Sequence, residues 1–518
     1  MVRWSLGRSA RSLIALILLV AAGGILLAYP HAARAASPQI TVTGYIAPTA
    51  SITINGSGYS NQDAYVNVYF DSTLVGPARV RPMGIYGQNE GWFRVPMTVS
   101  GDTVPGNHII KAVGQTTGAV VQASILVHQN WSEFSFTSSG GRYNPYETVI
   151  SPSNVSTLKP GWTIAGQFAF NHAAPVLVNG VLYALSDSDG HFAAIDAASG
   201  KFLWPLEAVN PTDTPVVANG VVYFGNQYSQ FEAASATTGS LLWYYNLPQS
   251  YYLIHNPPVL ANGYLYFGDS GGNVYSFTTS GTLTWTTTLP GPVVWSGPAV
   301  SAGTLYVGTV TTSNTGGLYA LNASTGSVLW SADVGGGVAS VPVVANGMVF
   351  VGGRNGEVAA FNASGCGNTT CSPAWSYMTG AAVVSSPAVA SGVLYIGSED
   401  DNLYAFNASG CGAATCAPLW KAVTGDMIES SPAVANGVVF VGSNDSYLYA
   451  LPAAGCGAAT CTPLWSYKTG YQVWSSPFVA NGVVYLGGSD GTLYTFVPGG
   501  SQLTCHTKWC RQPHAGSR

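Results

Sequence analysis

Eight prolines divide most of this chain into units of nearly constant length. Pro175, Pro215, Pro258, Pro298, Pro342, Pro387, Pro432 and Pro477 follow one another at intervals of 40, 43, 40, 44, 45, 45 and 45 residues. A fixed period of this length belongs to a solenoid, a propeller or an array of modules. Residues 432 to 465, PAVANGVVFVGSNDSYLYALPAAGCGAATCTPLW, show the pattern most cleanly. The pair Asn436-Gly437 is a two-residue hairpin signal, and the VVFVG that follows is rich in residues that favour strands. A polar turn, a third strand YLYAL and a fourth strand carrying Trp465 complete the unit. Nothing in the unit combines helical spacing with caps. Four strands in 40 to 45 residues make one blade of a β-propeller, so the pattern predicts an all-β chain with an eight-bladed propeller over residues 158–498.

Two aromatic series recur in register. Tyr183, Tyr223, Tyr266, Tyr306, Tyr395 and Tyr485, with Phe350 and Phe440 in the same place, supply one expected layer between blades. Trp204, Trp243, Trp285, Trp330, Trp375, Trp420 and Trp465 supply another on the fourth strands. Eight units thus hold seven such tryptophans, and one outer strand is wanting. Trp162, upstream of the first unit, can supply it by pairing with residues 491–497. Trp509 in the tail, residues 499–518, is the rival, although Arg511, Gln512 and Pro513 after it continue a strand poorly.

Ahead of the repeats, residues 1–35 read as a secretory signal peptide. Arg3, Arg8 and Arg11 precede an apolar run from Leu13 to Tyr29, and Ala33-Arg34-Ala35 offers a cleavage site. The alternative is a retained membrane anchor, for which the run is just long enough. Without those 35 residues the chain keeps 13 basic and 22 acidic residues, a net charge of −9. Only 8% of the residues are charged, so no basic patch for nucleic acid is expected. A secreted or cell-surface location follows, with no stable membrane span after cleavage.

Residues 38–128 lack the repeat and alternate with period two, which predicts a small antiparallel β-sandwich. Gly56, Gly58, Tyr59, Val66, Val68, Phe70, Asp71, Gly91 and Phe93, with Pro105, Gly106, His108, Ile110, Ala112 and Gly114, carry a likeness to bacterial modules. On those positions the segment resembles the immunoglobulin-like modules of bacterial surface proteins, which implies a spacing or adhesive part. Residues 129–157 read as a linker into the propeller.

Eight cysteines fall in four C-x4-C pairs: Cys366 and Cys371, Cys411 and Cys416, Cys456 and Cys461, Cys505 and Cys510. In an exported chain these read as disulfides, three of them in the turn between third and fourth strands. Zinc would require two pairs to converge although they lie a blade apart. Cys505 aligns with a second cysteine of the pattern, so the partner of Cys510 stays open.

The stretch W..F…GGRYNP.E..IS..NV..L…W from residue 131 and the later SPAVANGVVYVGS motifs are similar to proteins with pyrroloquinoline quinone (PQQ)-type propeller repeats. The resemblance covers about 131 to 498. It implies one of two kinds of protein. Quinoprotein dehydrogenases hold PQQ and calcium at the propeller centre, against two adjacent half-cystines. Non-catalytic members include the outer-membrane assembly lipoprotein. This sequence has no Cys-Cys dipeptide, no cysteine before Cys366, and bare blades without long insertions.

Three residues before each proline stand His172, Thr212, His255, Trp295, Ala339, Val384, Glu429 and Trp474. That place leads into the innermost strand and should ring one mouth of the channel. His172, His255, Trp295, Glu429 and Trp474 are therefore the candidate binding residues for a planar or cationic ligand. Asp187, Asp189 and Gly190 imitate a calcium loop, but equivalent turns read DSGG, GRNG and GSDG, so a plain hairpin is expected. No catalytic constellation or metal-ligand motif is present. The expected function is non-catalytic binding of a protein partner or surface polymer, without a cofactor. The alternative is a PQQ- and calcium-dependent dehydrogenase of alcohols or sugars.

Overall fold

A computed structural model describes residues 38–60, 62–82, 90–204 and 207–499. The signal segment and the last cysteine pair, Cys505 and Cys510, lie outside the described residues, as does Trp509. The fold is almost wholly β. Among the described residues no helix is long and apolar enough to cross a membrane.

Residues 39–127 form two four-stranded antiparallel sheets that share a core. Tyr59 and Phe93 meet there edge to face at 5.4 Å, with Ile54, Val66, Val68 and Ile110 around them. The alternation read in the sequence is thus the alternation of a half-buried sheet. The sandwich leans on the repeats through Tyr45, which stacks on His128 at 4.7 Å and lies against Gly180.

The repeat units fold into eight sheets, numbered one to eight in chain order, each four-stranded except the seventh, to which Tyr143–Asn144 adds a fifth strand. In the seventh the strands are Ala433–Ala435, Val438–Gly442, Tyr447–Pro452 and Trp465–Lys468. Asn436 and Gly437 take φ of 42° and 81°. These are the paired left-handed conformations of a tight hairpin. Sheet eight draws on both ends of the repeat region. Its outer strand, Lys159–Ala165, pairs antiparallel with Thr492–Val497. Trp162 therefore takes the place the sequence assigned to it, and its indole donates to Ala197 of sheet one at 2.9 Å.

The two aromatic layers join neighbouring sheets. Tyr306 and Tyr395 each donate a hydroxyl 2.8 Å to a carbonyl of the next sheet, at Ala363 and Ala453. The tryptophans lie against glycines of the next sheet's outer turn. A Cβ on Gly365 would come within 2.7 Å of the Trp330 ring, and φ there is +81°. That conformation suits glycine alone. Sheet one departs from the expectation. Its fourth strand is only Glu207–Ala208, so Trp204 precedes the strand rather than lying in it.

Cys366–Cys371, Cys411–Cys416 and Cys456–Cys461 are bonded. Each closed loop reaches back to the preceding sheet. Cys371, Cys416 and Cys461 donate their backbone N–H to Ser331, Ser376 and Lys421, at 2.8, 3.1 and 2.8 Å. The bridges thus hold the loop that ties adjacent sheets together, beyond stiffening a turn.

The stretch read as a linker and entry to the propeller contains a belt that packs inside it. Residues 131–144 run around the channel and touch the innermost strand of every sheet, each time at the residue two after the repeat proline. Trp131 exchanges two backbone bonds with Leu177. Val217 donates to Ser132, Val300 to Ser138, Val344 to Ser139, Val389 to Gly141 and Val434 to Arg142. Leu260 donates to the Glu133 carboxylate, and Asn144 donates to Val479. An inner strand otherwise presents unpaired backbone groups to the channel, and this belt satisfies them. Gly140 passes so near Pro342 that a Cβ would sit 2.5 Å from its carbonyl oxygen.

Candidate functional site

The belt closes one end of the channel and leaves a cavity of about 270 Å³ at the other. Phe134 of the belt is its floor. Six of the eight residues expected to ring the mouth line it: His172, Trp295, Ala339, Val384, Glu429 and Trp474. Thr212 and His255 do not. Thr212 is buried, with its hydroxyl donated to the Ile254 carbonyl. His255 is partly buried, and desolvation, aided by the charge of His172, lowers its pKa.

Proline explains why this position faces the channel. The residues just before it form a hydrogen-bonded hoop. Ser296 donates to the Ser340 carbonyl, Ser385 to Ser430, Ser430 to Ser475 and Ser475 to Ala173, at 2.8 to 3.0 Å. The next serines receive backbone N–H groups across the same joints, as from Ser386 to Ser431 at 2.9 Å. With that hoop fixed, the residue before it projects at the mouth.

Trp295 and Trp474 belong to sheets four and eight, opposite members of an eight-membered ring. Trp295 is 43% exposed, and its φ is 59°. A bulky side chain rarely adopts that left-handed conformation, and such strain concentrates at functional sites. Its N–H donates to the His255 carbonyl at 2.6 Å. Trp474 lies parallel to His172, with ring centroids 6.3 Å apart.

Three charged residues of the cavity were not expected from the sequence. The Arg354 guanidinium lies over the Trp295 ring, 4.8 Å from its centroid, while its Nε is buried without a partner. Glu399 stands one sheet further on. Desolvation raises its pKa, the Glu429 charge raises it further, and Arg354 acts in the opposite sense. Glu429 accepts a hydrogen bond from Asn444 at 2.8 Å. Asp213 is buried and accepts from the Thr214 N–H at 2.6 Å. Burial above all, with a contribution from Asp187, pushes its pKa to about 7.

A signal for these residues exists in the repeat. Arg354 and Glu399 come two residues after the end of the second strand, a glycine in every unit but the first, where other units have Asp187, Gln227, Ser270, Val310, Asn444 and Ser489. Reading that turn only as a hairpin hid two residues of the cavity. Asp213 occupies the place of Ser340, Ser385, Ser430 and Ser475 in the hoop. Asp187 itself accepts from the N–H groups of Asn171 and His172, as a turn residue does. Among the described residues no group of three or more His, Cys, Asp or Glu side chains is placed to hold a metal ion.

A family model described as outer membrane protein assembly factor BamB matches residues 106–292, 271–408 and 409–514. The quinone-dependent alcohol dehydrogenase subunit of Gluconacetobacter polyoxogenes is 31% identical over 169 residues, 29% of this chain and 22% of that protein. The chain therefore matches about a fifth of the length of that relative. Among solved structures, BamB from Moraxella catarrhalis superposes with a TM-score of 0.53 at 16% identity, over 66% of this chain and 99% of that one. A europium-containing methanol dehydrogenase gives 0.57 at 14% identity, over 71% and 98%. At those identities the likeness is one of fold.

Proposed function

This chain belongs to the family described as outer membrane protein assembly factor BamB, whose members carry PQQ-like propeller repeats, and from that premise we propose that it is a non-catalytic binding protein. It is exported and works at the cell surface or outside the cell. It engages a protein partner or surface polymer through the open mouth of the propeller. The observation that carries this reading is the exposed Trp295, held in a strained backbone conformation opposite Trp474 above a closed-ended cavity. Aromatic anchors at a concave mouth are where binding energy concentrates. Three disulfides among the described residues support an oxidising compartment.

The dehydrogenase alternative asks the same cavity to hold PQQ and calcium. PQQ is a planar tricarboxylic acid, and its site must supply cations. The walls carry Asp213, Glu399 and Glu429 against Arg354, which is already stacked on Trp295. Carboxylates could serve calcium, but among the described residues no three acidic or histidine side chains are placed together to hold a metal ion. Arg354 alone would face the quinone's three carboxylates, so the set fits the pair poorly. Absorption and mass spectra of the purified protein test the reading, with no quinone expected. Quinone bound at one equivalent would contradict it.

A further inference from the structure

The cavity has acid in excess, arranged on one side. Trp295 and Trp474 face each other across the ring, and Glu399 and Glu429 occupy the arc between them, on sheets six and seven. The small side chains of Ala339 and Val384 leave room beneath. Arg354 is the single permanently cationic side chain of these walls; it stands over Trp295, and its charge also acts favourably on Glu399. Glu399 and Glu429 are both half-buried, and two neighbouring carboxylates repel each other and attract a counter-charge. Arg354 offsets one of the cavity's three carboxylates, so the walls keep an excess of negative charge.

Resting on the reading of the mouth as a binding site, we infer that the cavity is a socket for one organic cation, the guanidinium or ammonium side chain of a partner polypeptide. The cation enters between Trp295 and Trp474 and brings its charge to Glu399 and Glu429. Indole faces attract cations, more so where water is excluded. The volume suits one side chain. An anion would meet three carboxylates there. A neutral sugar could stack on the indoles but would leave the glutamates uncompensated.

Calorimetric titration of the full chain at pH 8 and low salt tests this, with N-acetyl-arginine amide and N-acetyl-lysine amide as probes. N-acetyl-citrulline amide, the uncharged isostere of the arginine probe, and an N-acetylglucosamine trimer are the comparisons. The expected result is binding of the cationic amides, with citrulline weaker by about tenfold or more. Glu399→Gln and Glu429→Gln should each lower cation affinity by a similar factor, and the second keeps an oxygen for the Asn444 contact. Added salt should weaken binding. Equal binding of arginine and citrulline overturns the inference, as does absence of binding by both cationic amides. Trimer binding that is lost in Trp295→Ala also overturns it, yet leaves the mouth a binding site. Binding of PQQ with calcium in place of every other probe removes both the inference and the reading beneath it.

Discussion

The guanidinium of Arg142 donates to the carbonyl oxygen of Pro477 at 2.7 Å, across 335 positions of sequence. Two further donors of the same side chain reach Pro432 at 2.9 Å and Phe134 at 2.5 Å. The belt is thereby fastened to sheets seven and eight by one fully buried cation, whose pKa desolvation brings down to about 9. Arg142→Ala leaves three carbonyls without that partner. It should cost at least about 3 kcal/mol of stability in urea unfolding. Arg142→Lys should recover little, because an ammonium cannot reproduce the planar fork. A loss below about 1 kcal/mol would mean the belt is dispensable.

Buried acids make stability fall with rising pH near neutrality. Asp213 titrates at about 7 in the folded chain against 3.8 ordinarily, so the folded state keeps a proton that the unfolded state releases. That contribution is fully present below about pH 4 and is lost as pH rises through about 7. Glu133, also pushed up to about 7 by burial, acts in the same sense. Tm should therefore be lower at pH 8 than at pH 6. Asp213→Asn keeps an oxygen for the Thr214 N–H and should shrink that difference while raising Tm at pH 8. A variant less stable than the native chain at pH 8 would contradict the assignment.

Much of this was legible in advance. The proline period, the tyrosine and tryptophan registers and the Asn-Gly turns are local, repeated signals, and each corresponds to a contact made eight times or nearly so. The closure by Trp162 followed from one vacant place in a register. The belt was not legible, because its residues bond to six of the eight inner strands through backbone groups that any sequence carries, and to the other two through Glu133 and Asn144. Arg354 and Glu399 were missed because their turn positions vary from unit to unit. Thr212 and His255 share the position of Trp295 but do not line the cavity, Thr212 because its hydroxyl is bonded to the Ile254 carbonyl.

The three described disulfides should be quantitative. Thiol titration in denaturant without reductant should find no free sulfur from Cys366, Cys371, Cys411, Cys416, Cys456 or Cys461. Cys411→Ser with Cys416→Ser should cost about 2 kcal/mol in the chain-entropy account of so short a loop. The lost tie to sheet five should show as faster amide exchange at Ser376 and its neighbours. Six titratable thiols would contradict the bonding.

Trp295→Ala with Trp474→Ala should stay folded, since neither indole belongs to the layers between sheets. Circular dichroism and the unfolding midpoint should change little. Trp295→Ala relieves little strain, because alanine also dislikes the positive φ at this position. Affinity for the cationic probes should drop by more than about tenfold, as loss of a central anchor does. Unchanged affinity would place the binding surface elsewhere.

The central claim is that the mouth binds and does not oxidise. Reconstitution with PQQ and calcium, followed by a dye-linked assay with primary alcohols and aldoses, tests it most directly. No turnover above that of the quinone alone is expected. Turnover that requires both additions and disappears in Glu429→Ala would make the chain a dehydrogenase and contradict the claim.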